Sequence, residues 1–190
     1  QRFGIDASLP AFVDSLPNCK RYVTSDLSPT GHGTHVSGLI AASANGEGTL
    51  GVAAHVAQIM TVRVFKDVAT DADAVKLKSN TATVVTGLQW AVENGARVLN
   101  MSLGSPRSAL NDQSLDDPLY YQALLDATSK GVFITTASGG PKNNQMAKEL
   151  DSNTFTVIPA KYGREIEGVL TVGATNVNNG LKSPLSHYSP

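Results

Sequence analysis

One histidine of the chain lies in a setting suited to proton transfer. His32 stands between Gly31 and Gly33 in the segment Gly-His-Gly-Thr-His-Val-Ser-Gly, and an apolar run follows it. This pattern predicts a helix that begins close to His32. An imidazole at the start of a helix, flanked by residues without side chains, is accessible to a substrate and can take up or release a proton. The motif therefore indicates a general base.

A second histidine, His35, suggests an alternative interpretation, in which His32 and His35 bind a metal ion. Zinc-binding helices of the HExxH type place their histidines four residues apart, with a glutamate between them. Here the spacing is three residues and no glutamate intervenes. The pattern favours a base over a pair of metal ligands.

Four segments of the chain, taken in order, resemble the subtilisin-like serine proteases. His32 lies in a motif similar to that family's histidine motif, and residues 98–104 are similar to the strand that forms one wall of its substrate cleft. Residues 131–140 are similar to the strand before its oxyanion loop, and residues 170–175 to a later core strand. The resemblance implies a serine endopeptidase fold, a three-layer α/β sandwich with a mainly parallel central sheet, in which His32 is the catalytic base.

The same resemblance implies where a peptide would bind. Ser102, Leu103 and Gly104 match the family's substrate-binding edge, to which an extended peptide adds through backbone hydrogen bonds. The opposite wall in the family is a strand that contains glycine, whereas residues 66–80 here contain none. We therefore expect a peptide to be held from one side.

The order of apolar and polar residues gives a similar architecture without reference to a family. Short runs rich in Val, Ile, Leu and Thr predict buried parallel strands, and amphipathic stretches between them predict helices. Strands are expected over residues 58–65, 97–103, 132–137 and 169–174, helices over 81–94 and 118–130, and exposed loops over 66–80 and 105–117. This alternation predicts one α/β domain over residues 1–190, with its site at the carboxyl ends of the strands.

The catalytic machinery that the resemblance implies is incomplete in these 190 residues. Arg2 falls where the orienting aspartate belongs, and Gly140 falls where the oxyanion asparagine belongs. An arginine would oppose the imidazolium that forms in catalysis, and Asp6 is a poor substitute because it fits a later acidic position. Glycine has no side-chain donor. Arg2 and Gly140 are therefore predicted to be degenerate positions.

The serine nucleophile is not found among these residues either. No serine lies in the Gly-Thr-Ser-Met-Ala setting of the family, and the helix that carries this motif is expected to lie beyond the segments seen here. Two hypotheses follow. The chain is a pseudoprotease that binds a peptide or protein partner, or it is the central segment of an active endopeptidase whose serine region lies outside the sequence. The first hypothesis is favoured because Arg2 and Gly140 stand where the family has an aspartate and an asparagine.

A calcium site is the remaining feature that the resemblance suggests. Residues 44–50 match in length a loop that carries calcium ligands in some subtilisins, and Asn45 falls on a ligand position. The partnering acidic position falls on Ala11. Calcium prefers several oxygen ligands that include carboxylates. The chain is not expected to require a cofactor. The loop at Asn45 is interpreted either as a calcium site or as an ordinary glycine turn.

Composition argues against other classes of function. The 15 Lys and Arg residues nearly balance 16 Asp and Glu residues without a basic block, which argues against a nucleic-acid partner. No apolar stretch approaches the length of a membrane span. Cys19 is the single cysteine, so an internal disulfide cannot form. An extracellular location is implied by the family resemblance alone.

Overall fold

The computed structural model describes residues 32–46, 48–68, 76–141, 146–150 and 153–189, without the side chains of residues 66–68 and 76–78. The chain divides at Asn94 and Gly95 into two compact units. Each unit has its own elements, and the single domain predicted over residues 1–190 stays a prediction. Helices together with a parallel sheet confirm the predicted α/β class.

The helix that begins at His32 is followed by a turn that folds back onto the end of this helix. Helix α1 is His32–Ala41. The Gly51 N–H donates to the Ala42 carbonyl at 2.9 Å, and the Val52 N–H donates to the Leu39 carbonyl at 3.0 Å. A Cβ on Gly51 would collide with the backbone nitrogen of Ala42. Because only glycine permits this approach, the sequence Gly51-Val52 fixes the path of the chain after α1.

The strand predicted over residues 58–65 is wrong, because these residues belong to no strand. A parallel strand needs a hydrogen-bonded neighbour, and the described residues of the first unit provide no parallel partner. Instead β1, Lys66–Val68, pairs antiparallel with β2, Lys76–Lys78. The exposed loop predicted over residues 66–80 is thus corrected to a segment with a short two-stranded sheet.

Helix α2, Thr81–Glu93, matches the helix predicted over residues 81–94. The Asn80 side chain caps its start by accepting from the Thr83 N–H at 2.8 Å. Beyond its end, Gly95 has a φ of +90°, a conformation that glycine adopts readily. The sequence predicts an apolar face of Val84, Val85, Leu88, Ala91 and Val92; the helix buries the first four, and Val92 is half-buried.

The second unit contains five strands, one α-helix and two short 3₁₀ helices in its described part. In chain order these are β3 Val98–Met101, β4 Ser105–Ser108, the 3₁₀ helix Ala109–Asn111, α3 Pro118–Ser129, β5 Phe133–Ala137, β6 Phe155–Ile158, the 3₁₀ helix Ala160–Arg164 and β7 Val169–Val172. Strands β3, β5 and β7 form a parallel sheet in that order. They confirm the predictions over residues 97–103, 132–137 and 169–174, and α3 confirms the helix over 118–130.

The two faces of the parallel sheet differ in burial. Ile134 of β5 and Leu124 of α3, which packs on this strand, have no exposed surface. The opposite face carries four side chains with a large exposed fraction: Val98 (64%), Phe133 (43%), Leu170 (51%) and Val172 (49%). The register places them on one face, because Val98 lies opposite Phe133, and Leu170 and Val172 are two positions apart on β7 and so point to the same side of the sheet. One face therefore forms the core and the other presents an apolar strip.

A second, antiparallel sheet begins directly after residues 102–104, the predicted substrate edge. Strand β4 pairs with β6, from Ser105 opposite Ile158 to Ser108 opposite Phe155. The exposed loop predicted over residues 105–117 is therefore wrong for its first four residues. The sequence Ser-Pro-Arg-Ser has no strand pattern of its own, and the pairing depends on the buried residues of β6.

Helices α1, α2 and α3 contain 10, 13 and 12 residues. A helix that crosses a bilayer needs about 20 predominantly apolar residues. In the part of the chain that the structure describes, no helix combines the length and the apolar character of a membrane span.

Candidate functional site

His32 is the first residue of helix α1, as the glycine-flanked motif predicts. Its side chain is exposed, like that of His35 one turn further along. An exposed imidazole at a helix start can exchange a proton with a bound molecule. The histidine lies in the first unit, whereas the predicted substrate edge and Gly140 lie in the second. The role of His32 as a general base stays a prediction.

Residues 102–104, the predicted substrate edge, follow β3 directly and precede β4. Ser102 and Leu103 are half-buried, and Gly104 is exposed. Asn100 holds this segment, because its Nδ2 donates to the Ser102 Oγ at 2.9 Å while its Oδ1 accepts from the Thr135 hydroxyl at 2.9 Å. Residues 102–104 belong to no strand among the described residues. Such a segment is suited to pairing with an added strand.

Val157 of β6 lies between the substrate edge and the turn at residues 138–140. A Cβ placed on Gly104 would lie 2.7 Å from the Val157 Cγ1, and one on Gly139 would lie 3.4 Å from the Cγ2. Gly104 therefore has no room for a side chain. Val157 was not identified from the sequence, because no strand was predicted over β6.

Gly140, the predicted degenerate position, is closed by the backbone. The turn before it is formed by Gly139, which has a φ of +74°. A Cβ on Gly140 would collide with the carbonyl oxygen of Leu185. An asparagine therefore cannot occupy this position unless the chain around Leu185 moves. Glycine here is required by packing, a reason that the sequence did not reveal.

A group of hydrogen bonds holds Leu185 in this place. The His187 N–H donates to the Gly139 carbonyl at 3.0 Å. The buried hydroxyls of Ser138 and Ser186 are 2.9 Å apart, and the Ser186 oxygen also accepts from the Ala174 N–H at 3.0 Å. Both serines were missed in the sequence. Because their partners are each other and backbone groups, their role is structural.

His187 is a further residue that the sequence analysis missed. Its side chain is 5% exposed, and its Nδ1 accepts from the Lys148 N–H at 2.9 Å. The ring meets Phe155 edge to face, with centroids 5.1 Å apart. Burial lowers the pKa of the imidazole, and the charge of Lys148 lowers it further. No local sequence pattern marks His187, since its partners are distant along the chain.

Tyr162 fixes the start of α3. Its hydroxyl accepts from the Asp117 N–H at 2.7 Å and donates to the carbonyl of the same residue at 3.1 Å. Burial raises the pKa of Tyr162 to about 12, and the carboxylates of Asp116, Asp117 and Glu165 act in the same direction. The phenol therefore stays protonated at physiological pH and can donate this hydrogen bond.

The structure describes Asn45, the predicted metal position, but not Arg2, the predicted orienting position. Asn45 is exposed in a bend between Ser43, whose carbonyl accepts from the Asn45 N–H at 3.0 Å, and Gly46, which has a φ of +81°. Across the described ranges, no three His, Cys, Asp or Glu residues are grouped as metal ligands. The geometry at Asn45 is that of a glycine turn, and calcium there stays a prediction. Arg2 lies outside the described residues.

These features together define an α/β protein with a helix-opening histidine and a predicted substrate edge that ends at Gly104. A sequence model of the subtilase family matches residues 6–190. The chain belongs to the subtilase family.

Two relatives illustrate the extent of the similarity. Subtilisin BL from Lederbergia lenta is 37% identical over 153 residues, which cover 80% of this chain and 45% of that protein. Subtilisin E from Bacillus subtilis (strain 168) is 30% identical over 181 residues, which cover 93% of this chain and 40% of that protein. The chain therefore spans less than half the length of either relative.

Solved structures agree with the predicted fold. The MycP3 protease from the type VII (ESX-3) secretion system is similar with a TM-score of 0.60 and 26% identity, covering 84% of this chain and 46% of that one. The prenylagaramide maturation protease PagA, at 23% identity, shares the fold with a TM-score of 0.59 and covers 84% of this chain and 47% of that one. The subtilisin-like fold class is confirmed.

The closed position at Gly140 predicts the effect of adding one methyl group. We expect Gly140→Ala to lower the free energy of unfolding by about 1–3 kcal/mol, because the Leu185 segment must shift. Urea denaturation measures this change. Gly33→Ala is the matched control, since its Cβ meets nothing within 4 Å, and it should be neutral or slightly stabilising. Equal effects of the two substitutions would contradict the packing argument.

Proposed function

We propose that the chain is a subtilisin-like domain that binds an extended peptide along residues 102–104 and does not hydrolyse peptides by itself. The closed position at Gly140 carries this proposal. The family resemblance requires an asparagine side chain there to stabilise the oxyanion, and the Leu185 carbonyl occupies the space in which that side chain would begin. A serine could be supplied by another segment of a longer chain, whereas a side-chain donor at residue 140 could not.

The remaining groups support binding without turnover. Peptide hydrolysis by this chemistry needs a nucleophile activated by a base, an orienting carboxylate and oxyanion donors. His32 can act as a base. Ser138 and Ser186 are engaged with each other and with backbone groups, so neither hydroxyl is presented as a nucleophile. The chain thus retains one element of the catalytic set together with the substrate edge.

The substrate edge supports a peptide or an extended protein segment as the partner. Residues 102–104 leave a parallel strand, and Asn100 and Val157 hold them from two sides. An added strand gains affinity from backbone hydrogen bonds and tolerates many side chains. MycP3, the solved structure that is 26% identical, is a protease by name, which favours a peptide over other ligands. An extracellular location is proposed on the same family resemblance.

A second candidate is favoured by the extent of the match. Because the chain spans 45% of subtilisin BL and 40% of subtilisin E, its serine region could lie on another segment of the same protein. The chain would then be the central part of an active endopeptidase. An in-frame Gly-Thr-Ser-Met-Ala motif after residue 190, in a full-length protein that cleaves casein, would support this candidate over the first.

Inactivity of the chain is testable with an active-site label. We expect the purified 190-residue chain neither to cleave casein nor to react with a serine-directed fluorophosphonate, because no serine lies in the family's nucleophile motif and the hydroxyls of Ser138 and Ser186 are engaged with each other and with backbone groups. Subtilisin E, labelled under the same conditions, serves as the positive control. Stoichiometric labelling of one serine that is lost in His32→Ala would contradict the proposal.

Peptide binding is testable by removing one backbone donor. Leu103→Pro deletes the N–H at the centre of the substrate edge and should weaken binding of an extended peptide by about tenfold, the value of one hydrogen bond. Leu103→Ala is the matched control because it shortens the same side chain but keeps the N–H. Fluorescence polarisation with a labelled casein-derived peptide measures both, and circular dichroism checks folding. Equal affinities of the two variants would refute pairing at this edge.

Calcium, if bound at Asn45, should have little effect on stability. The turn offers one amide oxygen and backbone carbonyls, and hard cations are held weakly without carboxylates. We expect the melting temperature in millimolar calcium to match that in EDTA. A clear rise with calcium that disappears in Asn45→Ala would instead establish the site.

A further inference from the structure

Three separate segments of the second unit meet at the side chain of His187. Its Nδ1 accepts from the Lys148 N–H at 2.9 Å, which connects it to residues 146–150. The ring also lies against the turn that follows β5, because a Cβ placed on Gly139 would lie 3.4 Å from the His187 Cδ2. The third contact is the edge-to-face packing on Phe155 of β6. The imidazole thus holds residues 146–150 beside the closed Gly140 position.

The hydrogen bond to Lys148 defines the protonation state of the ring. An Nδ1 that accepts an N–H carries no proton, so the proton of the neutral ring is on the other nitrogen, Nε2. A second proton would place an N–H at Nδ1 against the Lys148 N–H. The bond to Lys148 would then be lost.

The charges around the ring favour the neutral form. Lys148 faces it from residues 146–150, with its ammonium 4.7 Å from the centre of the Phe155 ring. Lys182 faces it from the segment that contains His187 itself, with its ammonium above Tyr188. Phe155 and Gly140 contribute uncharged groups. An imidazolium would therefore form in a buried place next to two cations.

We propose that His187 is a pH-sensitive latch, which when neutral holds the Lys148 N–H beside the Gly140 turn and when protonated releases it. Two backbone bonds that do not involve the ring explain why the release is local. The Leu150 N–H donates to the Tyr188 carbonyl at 2.8 Å, and the Tyr188 N–H donates to the Lys148 carbonyl at 3.1 Å. The release is therefore confined to the Lys148 N–H and its immediate surroundings. The latch goes beyond peptide binding and does not depend on it.

The direction of the pH effect follows from linkage. Burial and the two lysines hold the folded-state pKa of His187 below its unfolded value of about 6.5. The latch therefore contributes stability that is complete above this pH and is lost as the pH falls through the lower folded value. Acidification below the folded-state pKa of His187 opens the latch, and a neutral medium closes it.

Amide exchange and side-chain titration of the full 190-residue chain test the latch. We expect the protection factor of the Lys148 amide to fall by about tenfold as the His187 ring titrates, because one hydrogen bond is lost. NMR follows both signals in one sample from neutral pH downward until the ring has titrated. His187→Asn keeps an acceptor near the Nδ1 position without a titrating ring, so Lys148 protection should stay constant over this range. His55→Asn, at an exposed histidine, is the matched control and should behave like the wild type.

Two results would overturn the latch. Lys148 protection that stays unchanged while His187 titrates would show that the ring does not hold the segment, and this measurement needs no variant. A His187→Asn chain with the same pH response as the wild type would assign the response to another group. If His187→Asn does not fold, the wild-type comparison of the two signals decides the question.

Discussion

The approach of the Leu185 carbonyl to Gly140 is the constraint on which the site depends. It brings a late segment of the chain against the turn that ends β5, and the His187 N–H, bonded to the Gly139 carbonyl at 3.0 Å, keeps it there. Interiors are close-packed, so a side chain at residue 140 could be accommodated only by moving backbone. The same packing places His187 near residues 146–150. The closed position at Gly140 and the burial of His187 thus have one structural origin.

The sequence predicted those elements whose signals are local. Helices α2 and α3 combine an apolar face with an identifiable cap at each end, Asn80 and Gly95 for the first and Asp117 and Gly131 for the second. The three parallel strands are apolar runs bounded by turn residues. In the site, His32, Gly104 and Gly140 were identified from motifs, and the structure supplied steric reasons for both glycines.

The elements that the sequence missed depend on partners far along the chain. Strand β4 is polar and pairs with β6 some 50 positions later, from Ser105 opposite Ile158. Residues 58–65 are apolar enough to suggest a strand but form none, because propensity without a paired neighbour does not make a sheet. His187 and Val157 belong to the same class. Their importance comes from contacts that no spacing rule encodes.

The apolar strip on the open face of the parallel sheet has a thermodynamic consequence. Its four side chains, Val98, Phe133, Leu170 and Val172, are already hydrated to roughly half of their surface in the folded chain. Unfolding therefore transfers less new apolar area to water than the length of the chain alone implies. Since apolar hydration dominates the heat capacity of unfolding, the stability of this unit changes more gently with temperature than that of a domain with both sheet faces covered.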